Sequence, residues 1–188
     1  GIPAALYAAH IQSMFESLGE SITSPAEILC QLNTLITRRL REGHFVTAAV
    51  ASFGIGESTF QIARAGHNWP IHYSCVNKSV SVLKPKGASI GLMEGGEFSR
   101  MLEEKRVPMD EGDVLLVYSD GISEAMNARS QMFDVQKLGK VLVDNANRSA
   151  DEIVAAVMQA LNAFVKTDEL DDDATLLVVK SQSGAMIG

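Results

Sequence analysis

The sequence has no apolar run approaching the roughly 20 residues that a membrane-spanning helix needs, and no basic segment leads into a shorter apolar one. Neither a membrane span nor a secretory signal is therefore expected, and the cytoplasm is the simplest location. Nor is there an excess of base. Lys and Arg number 16 against 23 Asp and Glu, a formal charge of −7, which disfavours a nucleic-acid or anionic-membrane surface and suits a protein that gathers cations. Cysteine is scarce. Cys30 lies in a helical pattern and Cys75 in a strand pattern, without the spacing of a zinc site or a disulfide framework, so both are expected as buried free thiols. No internal repeat, low-complexity tract or nucleotide-binding fingerprint stands out. Gly87-Ala88-Ser89-Ile90-Gly91 is glycine-rich, but it opens no evident helix and carries no Walker lysine. An initiator methionine is also lacking, since the chain opens at Gly1-Ile2-Pro3, and a fragment of a longer protein is expected.

What is present suits one domain with a real core, at 188 residues. Small and apolar residues recur at helical spacing over 3–18, which predicts a buried helix. Ser24-Pro25-Ala26-Glu27 reads as an N-cap, a proline at the first helical position and a capping-box glutamate, opening a helix to about residue 41. Residues 45–53 and 59–65 read as a hairpin, residues 71–76 and 80–83 as another, and 98–107 as a strand with one wet face. An apolar strand follows over 114–118. Two outer helices are predicted over 133–147 and 149–164, the second with a capping box at Ser149-Ala150-Asp151-Glu152. An acidic loop over 166–173 leads to a last strand over 175–180 and a Ser-Gly-rich end expected to fray. Helices, a block of antiparallel strands, helices and a returning strand make an α+β fold rather than alternating βαβ units.

Chemistry is expected at two strand tips. Val114-Leu115-Leu116-Val117-Tyr118-Ser119 runs into Asp120-Gly121, and Asp171-Asp172-Asp173-Ala174-Thr175 precedes Leu176-Leu177-Val178-Val179. If the two strands pair antiparallel, these carboxylates meet at one sheet edge, where oxygen-only donors select a hard cation such as Mg²⁺ or Mn²⁺. Gly121 lets the chain turn there. The bland alternative has Asp120 capping a short helical turn over 122–126 and the acidic triplet forming a solvated loop.

Several segments match a known family in order and spacing. They are Gly1-Ile2-Pro3-Ala4-Ala5-Leu6, Phe45-Val46-Thr47-Ala48, Ala65-Gly66-His67-Asn68-Trp69-Pro70, residues 87–92, Gly112-Asp113 through Ser119-Asp120-Gly121-Ile122-Ser123-Glu124-Ala125, and Asp172-Asp173-Ala174-Thr175-Leu176. With them nearly the whole chain resembles the PPM-type, protein phosphatase 2C-like, metal-dependent serine/threonine phosphatases of the bacterial SpoIIE and RsbU-like branch. The resemblance implies two stacked antiparallel β-sheets flanked by helices, an α-β-β-α sandwich, with residues 1–188 as a single domain lacking its N-terminal strands. It implies two Mn²⁺ or Mg²⁺ ions, with Asp120 and Asp172 as catalytic metal ligands, Asp173 as an auxiliary ligand and Gly121 in the metal site. In such sites the ions acidify a bridging water that attacks phosphorus in line. The family's Asp-x-x-Gly-x-Gly segment ends at Gly1, so the remaining ligands are expected upstream and the fragment alone is expected to bind cations weakly and to be inactive.

The implied activity is a phosphoprotein phosphatase, the output domain of a bacterial signalling regulator behind a sensory or receiver module, as in two-component response regulators. Its implied partner is a phosphorylated regulatory protein, by analogy an anti-sigma-factor antagonist. Monomer and homodimer both stay open. The alternatives are a catalytically silent partner-binding module of the same fold and an unrelated hydrolase of small phosphoesters. His67, Trp69-Pro70 and the methionines Met93, Met101, Met109, Met126 and Met132 are expected to be structural. Arg38, Arg39 and Arg41 are expected to complement a helix C-terminus.

Overall fold

The computed structural model describes residues 2–41, 43–166 and 172–182, with side chains from Leu6 onward. Residues 167–171 of the expected acidic loop, and the Ser-Gly-rich end from 183, lie outside the described residues. The helices are α1 (Ile2–Gly19), α2 (Pro25–Ile36), α3 (Gly95–Met101), α4 (Asp120–Ser123), α5 (Asp134–Asn145) and α6 (Ala150–Val165). The strands are β1 (Ala48–Phe53), β2 (Thr59–Ala65), β3 (Ile71–Ser74), β4 (Ser79–Val82), β5 (Glu104–Pro108), β6 (Val114–Tyr118) and β7 (Leu176–Lys180). They form two antiparallel sheets flanked by helices, an α+β architecture, as expected. Two compact units divide the chain, and each is discontinuous: one holds Gly1–His67 with Pro85–Pro108, the other Asn68–Lys84 with Met109–Gly188.

In the first unit the sheet order is β1-β2-β5. Helix α2 supplies Ile28, Leu29, Leu32 and Ile36 to a core that also holds Val50, Ala63, Ala65, Ile90 and Phe98. Its N-terminus differs from the expected capping box. Ser24 Oγ does accept from the Glu27 amide at 3.2 Å, but the carboxylate that completes the cap is Glu104 on β5, which accepts from Ser24 Oγ at 2.7 Å and from the Ala26 amide at 2.9 Å. The helix ends at Ile36, short of the expected residue 41, in a 3-10 turn over Thr37–Arg39, where Thr37 Oγ1 donates to the Asn33 carbonyl at 2.6 Å. Helix α1 is not the buried helix its composition predicted. Among its described side chains, only the stripe Tyr7, Ile11, Met14 and Leu18 is half-buried, and Leu6 and Phe15 face solvent. A single stripe at 3–4 residue spacing suffices to seat a surface helix, and alanines on the other side bury little area. The expected strand over 98–107 is in fact α3 followed by β5, with Phe98 fully buried in the α2 core.

In the second unit the order is β4-β3-β6-β7. Inward residues Ile71, Tyr73, Val114, Leu116 and Tyr118 pack with Leu138 and Leu142 of α5 and with Ile153, Val157 and Leu161 of α6. Both helices run where periodicity placed them. The capping box at α6 is complete, with Ser149 Oγ accepting from the Glu152 amide and Glu152 accepting from the Ser149 amide. At the head of β6, Asp113 is buried and satisfied by His72 Nε2 at 3.1 Å and by the amides of Cys75 at 2.7 Å and Asp110 at 3.1 Å. Cys30 and Cys75 are free thiols, but half-buried rather than buried.

Candidate metal site at the β6 and β7 strand tips

Strands β6 and β7 are antiparallel neighbours in the register Val114↔Lys180 to Tyr118↔Leu176. An apolar strand of five residues exits the sheet at Tyr118, so its next residues, Ser119 and Asp120, fall beside the residues that enter β7. The ladder continues one step past the strands, with the Ser119 amide donating to the Thr175 carbonyl at 3.0 Å. Ser119 then locks the two tips with its side chain. Its Oγ donates to the Asp173 carbonyl at 3.0 Å and accepts from the Thr175 amide at 2.9 Å.

Gly121 opens the turn for a reason sharper than flexibility. A Cβ at this position would lie 2.4 Å from the Asp173 carbonyl oxygen and 2.8 Å from its carbon. Backbone therefore packs directly on backbone, and only glycine fits. Asp120 opens the short α4 with Ser119 as its N-cap residue, so the alternative in which Asp120 itself caps a turn does not describe the geometry.

Asp120, Gly121, Glu124, Ala125, Met126 and Asp172 line one concavity of about 220 Å³. Asp120, Glu124 and Asp172 are exposed within it. Oδ1 of Asp120 accepts from the Gly121 amide at 3.1 Å, and Oδ1 of Asp172 accepts from the Asp173 amide at 2.8 Å. Each carboxylate is thus oriented by the peptide that follows it, and the other oxygen of each has no hydrogen-bond partner among the described residues. Asp173 meets the site through its backbone carbonyl, and among the described residues its side chain does not line the concavity. No three His, Cys, Asp or Glu side chains among the described residues cluster closely enough to hold a metal between them. The donor set is nevertheless the right kind for Mg²⁺ or Mn²⁺, which keeps several waters and needs only one or two carboxylates beside a phosphate.

Three contributors escaped the sequence reading. Glu124, four residues after Asp120, shares its helical face. Ser119 stood in the recognised motif without a role. Asn68, in the loop before β3, donates through Nδ2 to Ser123 Oγ at 3.4 Å and ties that loop to α4. Tyr118, buried on β6, has its phenol pushed up to about 12 by burial, so it stays neutral.

The other expected residues take structural places. The His67 carbonyl accepts from the Arg64 guanidinium, and its Nδ1 lies 3.5 Å from Thr47 Oγ1. Gly87 is pressed against the Arg64 carbonyl and serves a close backbone approach, while Gly91 takes a positive φ of 94°. Trp69 is not packed away as expected. It is 43% exposed with the Lys84 ammonium 4.8 Å above its ring.

The chain is 26% identical over 180 residues to the phosphoserine phosphatase RsbU of Bacillus subtilis (strain 168), an alignment that covers 96% of this chain and 52% of RsbU. It thus spans about half the length of that relative. Among solved structures it resembles the SiaA-PP2C domain of Pseudomonas aeruginosa, with a TM-score of 0.78 at 20% identity, covering 96% of this chain and 70% of that one. It also resembles the RsbU and RsbW domains of Rv1364c from Mycobacterium tuberculosis, with a TM-score of 0.80 at 19% identity, covering 97% of this chain and 49% of that one. At such identities these likenesses speak for the fold. The match to the family described as Stage II sporulation protein E (SpoIIE) runs over residues 1–182, nearly the whole chain, and the chain therefore belongs to that family.

Proposed function

We propose that residues 1–188 belong to one metal-dependent protein serine/threonine phosphatase domain, the cytoplasmic output of a bacterial signalling regulator. Its substrate is a phosphorylated regulatory protein of the anti-sigma-factor antagonist kind. The observation that carries this reading is the convergence of Asp120 and Asp172 on one concavity at the β6 and β7 tips. Asp120 and Asp172 would hold Mn²⁺ or Mg²⁺, two ions by family resemblance, with Gly121 lining the same concavity and the Asp173 carbonyl packed against it. Bound there, such an ion supplies Lewis-acid chemistry, acidifying water and neutralising phosphoryl oxygens. The chain's own part is to fix the two carboxylates, through the Ser119 clamp and the Gly121 contact, so that little reorganisation remains at the moment of reaction. Glu124 adds a third acid to the same concavity.

The test is Mn²⁺-dependent release of phosphate from a phosphoserine protein, with p-nitrophenyl phosphate in parallel, using the full-length protein that contains this chain. Turnover of the phosphoprotein in preference to the small ester supports the reading. Equal or better turnover of the small ester favours a general phosphoesterase, and silence toward both favours a non-catalytic binding module.

A further inference from the structure

Met126 and Met132, expected in structural places, are instead 44% and 45% exposed. They oppose each other as an antiparallel bridge in the hairpin that follows α4, and directly opposed residues of such a pair project to the same side with Cβ atoms roughly 5 Å apart. The hairpin is firmly built. At its base the Phe133 amide donates to the Ala125 carbonyl at 2.9 Å, and Phe133 is buried in the core of the second unit. Lys137 Nζ donates to the Met132 carbonyl at 2.9 Å. At its turn Asn127 Oδ1 accepts from the amides of Arg129 at 2.9 Å and Gln131 at 3.1 Å, and the Asn127 amide donates to the Gln131 carbonyl at 3.0 Å. Ser130 is held there at a φ of 57°, a conformation that a non-glycine residue keeps only when its surroundings impose it.

The pair begins inside the candidate metal site. Met126 and Ala125 line the same concavity of about 220 Å³ as Asp120, Glu124 and Asp172, so carboxylates and apolar groups share one small space. Met132 is not among its lining residues, and the bridge therefore carries the apolar surface from the inside of the concavity to the outside. Methionine is unbranched and polarisable, and it adapts to apolar side chains of different shape. Presented on a hairpin that is already formed, the pair loses little conformational freedom when it is covered.

We propose that Met126 and Met132 dock an apolar side chain of the substrate protein beside its phosphorylated residue, and that they are specificity-determining residues. The proposal rests on the phosphatase reading above. The occupant follows from continuity with that site: a protein segment that brings its phosphoryl group to Asp120 and Asp172 carries its neighbouring residues past Met126, which borders the same concavity. Extended chain advances roughly 3.3–3.6 Å per residue, so across a concavity of this size the docked side chain lies one or two positions from the phosphoserine. An apolar side chain there leaves water together with the two thioethers, and a polar one gives up its hydration without a partner.

The test compares two phosphoserine peptides, one with Leu and one with Gln at the first and second positions on both sides, on the full-length protein and on its Met126→Gln/Met132→Gln and Met126→Leu/Met132→Leu variants. The wild type is expected to favour the Leu-flanked peptide at least fivefold in kcat/KM, the Gln variant to lose that preference and the Leu variant to keep it. A preference unchanged in the Gln variant overturns the proposal, as does a wild type indifferent to the flanks. If the wild type hydrolyses neither peptide, the phosphatase reading fails separately, and peroxide footprinting of the wild type decides the docking. With a phosphonate analogue of the Leu-flanked peptide and Mg²⁺ present, oxidation of Met126 and Met132 to the sulfoxide should slow at least threefold, while Met101 on α3, which is 51% exposed, should react as before. Unslowed oxidation of Met126 and Met132, or equal slowing at all three, overturns the proposal. A dimer in which both methionines are already protected, and which the Gln variant converts to monomer, would make a second copy the occupant and overturn it too.

Discussion

The Ser119 hydroxyl donates to the Asp173 carbonyl at 3.0 Å while accepting from the Thr175 amide two residues further on. One side chain thus closes the gap between two strand tips at the point where Asp120 and Asp172 must come together. Removing it with Ser119→Ala deletes both bonds and leaves every carboxylate in place. Mn²⁺ affinity measured by calorimetry should fall about tenfold, as for other groups that orient ligands without touching the metal, while far-UV circular dichroism stays the same. Unaltered affinity would leave Ser119 a bystander.

Gly121→Ala tests the backbone contact. The new methyl meets the Asp173 carbonyl oxygen at 2.4 Å, and because both partners are backbone the strain cannot be relieved by a rotamer change. A destabilisation of about 1–3 kcal/mol, typical of overpacking, should appear in urea unfolding. Gly19→Ala, at a position with nothing within 4 Å, is the control and should cost far less.

Asp120→Asn keeps the shape of the side chain and removes its charge. Turnover of a phosphoserine protein at limiting Mn²⁺ should drop at least about 100-fold, beyond the range for groups that act through another ligand, with no change in the urea midpoint. Wild-type turnover in this variant would sink the assignment of Asp120.

Two helix starts carry acids that titrate low. Burial pushes Asp134 upward, but the Lys137 ammonium and the amides of Lys137 and Gln136 outweigh it and hold the carboxyl below its ordinary 3.8. Glu152 is likewise held low, by the Ser149 amide and hydroxyl. For both groups the folded-state value lies below the unfolded one. Their contribution is therefore present above the ordinary carboxylate range and fades as pH falls through the folded-state values. Urea midpoints measured downward from pH 5 should decline less steeply for Asp134→Asn than for the wild type; parallel curves would remove Asp134 from the account.

Burial first, and the charge of Glu27 second, push the Cys30 thiol up. Its thiolate is correspondingly scarce at pH 8, and iodoacetamide should label it more slowly in the folded chain than in urea, as followed by peptide mass spectrometry. Glu27→Gln should speed the folded-state labelling. Labelling at the unfolded rate would contradict the placement of Cys30.

Long-range pairing was legible where two apolar strands ended in acids. Leu115 against Val179 and Tyr118 against Leu176 follow from nothing more than antiparallel neighbours, and this brought Asp120 and Asp172 to one edge. The Ser149 cap was legible because both its partners lie within four residues. The α2 cap was not, because its carboxylate, Glu104, comes from a strand 80 residues away and no local pattern announces it. Residues 98–107 misled for a related reason. A seven-residue helix around Phe98 and the charged strand after it share a pattern of isolated apolar residues that neither period describes well. Ser119 was visible as a letter but not as a clamp, since its two bonds are made to backbone atoms of another segment.

The interleaving of the two units bears on how the chain is made. Strand β2 ends at Ala65, but its neighbour β5 starts only at Glu104, and the β3–β4 hairpin is synthesised in between without β6. At roughly 5–20 residues per second on the ribosome, the first sheet waits several seconds with an open edge, and the hairpin waits in turn for Val114 to emerge. Neither unit can be cut out as one continuous stretch, so a protease or a split-gene experiment would have to sever the chain three times, after His67, Lys84 and Pro108, to free either one.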